Sequence, residues 1–163
     1  MTANRAQRRV SLLVPIGLAL LSTLTACAAP GTATPTQTPP TPSPTARVGA
    51  LVKTSYGSYM NVEPSDLKSM LVHKDFYLVD VHTPPEGRLP DTDARIPYDQ
   101  IEGQVAKLPA DKRAKIVFTC YSGAMSSIAS ETLVRLGYTN VYNLNGGMAA
   151  WRAAGYQIIP EAK

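Results

Sequence analysis

The chain has 163 residues, 16 Lys and Arg against 12 Asp and Glu, and two cysteines, which bounds it to one folded core of ordinary size. Three of the basic residues, Arg5, Arg8 and Arg9, fall within the first 27 positions, where there is no acid, so removing those three leaves 13 basic residues against 12 acidic. The basic balance therefore belongs to the leader and gives no support to nucleic-acid binding, and the single long apolar run excludes a multispanning membrane protein.

Asn4 to Arg9 forms a positive start, and Val10 to Leu24 an apolar stretch of the length used by signal peptides. A spanning helix needs about 20 apolar residues, so this stretch is short for one. The next residues, Leu24-Thr25-Ala26-Cys27, resemble the bacterial lipobox, in which small residues precede a cysteine. That resemblance implies cleavage before Cys27 and lipidation of Cys27. The reading is a signal peptide over 1–26, a lipid anchor and linker over 27–46, and a folded domain over 47–163, outside the cytoplasm (the periplasm in a two-membrane cell). Ala28 to Thr45 holds six prolines among Thr, Ala, Ser and Gly, which block helix and sheet ladder alike. In polyproline form it spans roughly 50 Å. With Cys27 lipidated, Cys120 has no internal disulfide partner and cannot build a multi-cysteine metal site.

Within the domain, Tyr59 to Val62 reads as a short strand, and Pro64 to Leu71 as a helix with Pro in its first turn. Phe76 to Val81 is a continuous apolar run, the pattern of a strand covered on both faces. Thr83 to Pro97, rich in Pro and charge, reads as a long loop. The spacing predicts a helix over Asp99 to Leu108, ended by Pro109. Lys115 to Thr119 reads as a buried strand. Ser126 to Leu136 reads as a helix with Ile128, Ala129, Thr132, Leu133 and Leu136 on one face, capped by Gly137. Asn140 to Leu144 is a last strand and Met148 to Ala154 a short helix. Strands alternating with helices predict a parallel α/β sheet, whose ligands sit at the carboxyl ends of the strands, where Asp80 and Cys120 lie.

The chemistry concentrates at Cys120. It follows a buried strand and precedes the small-residue loop Tyr121-Ser122-Gly123-Ala124-Met125-Ser126, which leads into a helix. Gly123 permits a tight turn with inward amides, and such amides at a helix N-terminus bind anions. The same field favours a thiolate, the reactive form of cysteine. The alternative is a buried structural thiol.

Three stretches resemble the single-domain rhodaneses, a sulfurtransferase family. They are Phe76 to Pro84 with Glu86 to Pro90 continuing it, the loop from Cys120 to Gly123, and the closing segment Asn143 to Gly155, which includes Gly146, Gly147 and Trp151. The resemblance runs from about Tyr59 to Ile159. It implies a parallel five-stranded sheet flanked by helices. It also implies that Cys120 takes a sulfane sulfur as a persulfide and passes it to a thiophilic acceptor, with no metal or organic cofactor.

The chain departs from that family in places. The fifth residue after the cysteine, commonly Arg, is Met125, which bears on thiosulfate, a dianion, as donor. His82 stands where Arg is common after Asp-Val, and Arg88 where His is common. Arg88 is a candidate source of charge beside the loop. Ser126, where related phosphatases carry Arg, argues against phosphate-ester hydrolysis. Asp80 is expected to accept hydrogen bonds from the adjoining loop. His82 is either an aid to proton transfer or a hydrogen-bonding surface histidine, and Trp151 an anchor of the last helix. The expected partners are a small sulfur compound, a thiol or protein acceptor, and the membrane through the lipid, with the protein a monomer that binds no nucleic acid. The competing reading is a non-catalytic binding module at the cell surface.

Overall fold

The computed structural model describes residues 48–161; Cys27, the leader and the linker lie outside the described residues. The first elements are strand β1 (Ala50–Thr54), strand β2 (Gly57–Val62), helix α1 (Pro64–Met70) and strand β3 (Tyr77–Asp80). Strand β4 (Ala94–Arg95), strand β5 (Ile116–Thr119), helix α2 (Ala124–Arg135), strand β6 (Val141–Leu144) and helix α3 (Gly147–Ala153) follow. They form one sheet in the order β1-β2-β6-β5-β3-β4. From β2 to β4 all neighbours run parallel, which supplies the five parallel strands expected, while β1 pairs antiparallel with β2. The sheet is therefore mixed and six-stranded.

The period-2 alternation of strand side chains divides the core in two. Phe118 and Ile116 of β5 and Val79 of β3 pack with Ala129, Leu133 and Val134 of α2. Val117 and Leu78, their neighbours in sequence, face the opposite side and pack with Leu67 of α1 and Met148 and Trp151 of α3. Helices on both faces explain why β3 and β5 read as apolar runs.

Two expectations are corrected. Residues 99–108 form no α-helix; two 3-10 turns, Tyr98–Gln100 and Val105–Lys107, stand there instead. Ile101 and Leu108 are buried and give the helical spacing, but Gly103 lies between them, and Gln104, at φ −116°, leaves helical geometry. Ile128 is 51% exposed, so the buried stripe of α2 runs instead through Ser126, Ala129, Ser130, Leu133 and Val134. Thr83 to Pro97 is mostly loop as expected, but contains the two-residue strand β4. Among the described residues no helix is long and apolar enough to cross a membrane.

Candidate functional site

At the carboxyl end of the sheet, Asp80 of β3 is paired in register with Thr119 of β5. One more ladder bond follows, from the Val81 N–H to the Thr119 carbonyl at 2.8 Å. Cys120 directly follows β5, and Tyr121 follows it. The chain then turns through Ser122 and Gly123, and α2 begins at Ala124. Gly123 serves as the N-terminal cap of α2 at φ +92°, a conformation that excludes most side chains.

The Cys120 thiol lies on the floor of this loop, with the residue 1% exposed. Three donors converge on its sulfur: the Gly123 N–H at 3.1 Å, the Ser126 N–H at 3.4 Å and the Ser126 hydroxyl at 3.3 Å. An anionic sulfur accepts such bonds more strongly than a neutral one. The Ser126 hydroxyl is also 3.1 Å from the Gly123 carbonyl, so its one proton serves the sulfur or that carbonyl, not both. Ser127 donates to the same carbonyl at 2.8 Å, and Asn143 of β6 donates to Ser127 at 3.2 Å, which ties the loop to the sheet.

The back of the loop is held by α3. The N–H groups of Met148 and Ala149 donate to the carbonyls of Cys120 at 2.8 Å and Tyr121 at 2.9 Å. Those carbonyls are thereby turned toward α3 and away from the sulfur. Gly147 makes the approach: a Cβ on it would lie 2.3 Å from the Cys120 carbonyl oxygen and 2.7 Å from the Gly123 nitrogen. The Gly146-Gly147 pair thus shapes the loop from behind. Trp151 anchors the same helix, fully buried, with its indole N–H on the Gln157 carbonyl at 2.8 Å.

The remaining sequence candidates divide. Asp80 is wholly buried and structural in its contacts, accepting from the His82 N–H at 3.0 Å and the Arg95 guanidinium at 3.0 Å. Burial pushes its carboxyl above the ordinary value, against the opposing pull of the His82 N–H and of Arg95. Arg95 also binds the Gly87 carbonyl at 3.2 Å and Glu161 at 2.9 Å, which locks the 83–90 loop and the C-terminal segment to the sheet. That clamp was not anticipated: Arg95 sits in a stretch that reads as loop, and Glu161 is far along the chain. Arg88 is exposed, and its backbone exchanges hydrogen bonds with Ile159, both 2.9 Å. Its charge acts on Glu161. His82 is buried beside the loop, with its ring centroid 5.9 Å from that of Tyr121. Met125 is half-buried against the apolar cluster that includes Cys120. Among the described residues no Lys or Arg side chain hydrogen-bonds the 120–126 loop, which itself contains no charged residue. A surface groove of about 500 Å3 between Glu86, Arg152, Tyr156 and Glu161 does not include Cys120.

The family model for the rhodanese-like domain matches residues 63–154, more than half of the chain. The chain belongs to the rhodanese-like family. A sulfurtransferase of Allochromatium vinosum is 37% identical over 89 residues, covering 53% of this chain and 80% of the relative. A thiosulfate sulfurtransferase, GlpE, of Vibrio cholerae is 26% identical over 102 residues, covering 61% and 94% respectively. Among solved structures, a rhodanese-related protein of Thermoplasma volcanium superposes with a TM-score of 0.55 at 27% identity, over 63% of this chain and all of that one. A rhodanese-like domain from Anabaena gives a TM-score of 0.54 at 25% identity, covering 62% of this chain and 79% of that one. The rhodanese match spans the loop that holds Cys120 and the Gly146-Gly147 segment behind it.

Proposed function

We propose that this rhodanese-like protein is a sulfurtransferase that carries a sulfane sulfur on Cys120, anchored outside the cytoplasm through a lipid on Cys27. The convergence of three hydrogen-bond donors on the Cys120 sulfur supports the reading above all else. The thiolate attacks the outer sulfur of a donor, the donor leaves, and the persulfide passes that sulfur to cyanide, a thiol or a protein acceptor. The loop donors then face the anionic sulfur that each transfer creates. A continuous assay of sulfur transfer to cyanide tests the reading. Turnover with at least one sulfane donor is expected, and none with either thiosulfate or an alkyl persulfide would leave a binding module.

The uncharged loop bears on the choice of donor. A helix N-terminus offers an anion about 0.3–1 kcal/mol at an exposed site. A charge-assisted hydrogen bond contributes about 1.5–3 kcal/mol. Thiosulfate, a dianion, loses more from the missing cation than a singly charged persulfide does. Met125→Arg is expected to raise thiosulfate turnover about ten-fold, equivalent to about 1.4 kcal/mol, and to raise persulfide turnover less. The apolar stem of Arg replaces Met125 against the core while its head reaches the loop. Steady-state kinetics with both donors check this, and no gain with thiosulfate would point to a cation already serving the loop, Arg88 first.

The location rests on Leu24-Thr25-Ala26-Cys27. The mature protein is expected to begin at lipidated Cys27 and to partition with membranes, since each buried acyl methylene contributes about 0.8 kcal/mol. Cys27→Ala is expected to lose both the lipid and the processing. Mass spectrometry of the mature N-terminus checks it, and a start elsewhere would contradict it.

A further inference from the structure

Among the described residues, His82 is a buried side chain beside the Cys120 loop with two ring nitrogens that both lack a partner. The side chain is 10% exposed, and neither Nδ1 nor Nε2 has a hydrogen-bond partner among the described residues. A neutral imidazole carries one donor and one acceptor, so a buried ring with neither met lacks two hydrogen bonds that an acceptor seated at the loop could supply. The position is fixed: the backbone N–H is held by the Asp80 carboxylate, and the ring stands 5.9 Å from that of Tyr121 at 35°. Tyr121 directly follows the sulfur-bearing residue. Nε2 lies 3.8 Å from the Glu86 carboxylate, too far for a hydrogen bond and close enough to stabilise a positive charge on the ring. The other charged groups acting here are Asp80, which holds the backbone of His82, and Arg95, which is engaged by Asp80 and Glu161.

We propose that His82 takes the proton from an incoming thiol acceptor at the Cys120 loop, making this site selective for thiols as sulfur acceptors; the proposal rests on the sulfurtransferase reading. The S–H bond of the acceptor breaks and its proton moves to a ring nitrogen of His82. The thiolate attacks the outer sulfur of the Cys120 persulfide in its protonated form. A bond forms between the acceptor sulfur and that outer sulfur, and the bond from Cys120 Sγ breaks. Its electron pair stays on Sγ, which returns as a thiolate to the donors of Gly123 and Ser126. The acceptor leaves as a persulfide, oxidised by the sulfur it gains as Cys120 is reduced, and His82 releases its proton to water. Glu86 faces the charge while it exists.

The test starts from protein carrying one sulfur on Cys120 and compares wild type with His82→Gln, using dithiothreitol and sulfite as acceptors. Sulfite in its dianionic form attacks through sulfur and brings no proton to remove. At about pH 7.5 the variant is expected to transfer to dithiothreitol about ten-fold or more slowly, the scale of general base catalysis. The deficit closes near pH 9.5, roughly where a thiol supplies its own thiolate. Transfer to sulfite, and loading of the sulfur itself, stay within about two-fold, because neither draws on the proton acceptor. His82→Asn, run alongside against misfolding of the first variant, is expected to give the same pattern. Equal losses with both acceptors at every pH, or no loss with dithiothreitol, would overturn the role of His82 while leaving Cys120 as carrier. Failure of the wild-type protein to take up sulfur would overturn both readings together.

Discussion

Cys120→Ser is expected to abolish sulfur transfer, with turnover falling on the order of 10³-fold or more, as when a covalent nucleophile is removed from a site whose other groups remain. The serine is close to isosteric, and its neighbours are suited to accept it. The donors at Gly123 and Ser126 that serve the sulfur at 3.1–3.4 Å face an oxygen instead. Folding is therefore expected to change little, and the thermal midpoint to stay close to that of the wild type. An alcohol at neutral pH is neither ionised nor able to hold a sulfane sulfur. Parallel measurements of turnover and thermal unfolding separate loss of chemistry from loss of structure. Undiminished transfer by the serine variant would place the carrier elsewhere.

The second large effect is expected at Gly147, which is buried behind the Cys120 loop. At φ +59° its Cβ would lie 2.3 Å from the Cys120 carbonyl oxygen and 2.7 Å from the Tyr121 carbonyl oxygen, both fixed backbone atoms. Gly147→Ala must push α3 away from the loop. That movement breaks the bonds from Met148 and Ala149 which turn the loop carbonyls away from the sulfur. The expected cost is about 2–4 kcal/mol, the range of a strained position combined with an overpacked contact. The thermal midpoint is expected to fall by about 10 °C or more. Sulfur loading should slow as well, since the loop is no longer held from behind. Gly155→Ala is the control. It too has a positive φ, +83°, but a Cβ there meets nothing within 4 Å. It is expected to cost only the backbone preference, about 1–2 kcal/mol, with loading unaffected. Equal effects of the two substitutions would mean that the close approach of α3 to the loop matters little.

The parts of this site that are local in sequence were legible, and the parts made by distant residues were not. The order of strand, cysteine, small-residue loop and helix is contiguous from Lys115 to Leu136, and apolar runs with a glycine in the turn suffice to read it. The Gly146-Gly147 pair was visible as a pattern, but its work against Cys120 is done across more than twenty residues of chain. Asp80 was read as a hydrogen-bond acceptor at a strand end and is one, though its partner Arg95 stands in a stretch dominated by Pro and polar residues that hides β4. Strand β1 escaped for another reason: it is an edge strand with Ala50, Leu51 and Lys53 exposed, so no buried alternation marks it. Over 99–108, apolar spacing alone suggested a helix, and Gly103 prevailed over it. His82 was left between two roles. The fold decides that it is buried and stands beside Tyr121, features that spacing alone does not carry.

The central claim is that Cys120 carries sulfur, and intact-mass spectrometry of the domain after exposure to an alkyl persulfide tests it most directly. The mass is expected to rise by one sulfur atom, peptide mapping to place that atom on Cys120, and the increment to disappear when cyanide or a thiol is added. An unchanged mass, or a sulfur that maps elsewhere or stays when an acceptor is supplied, would contradict the account.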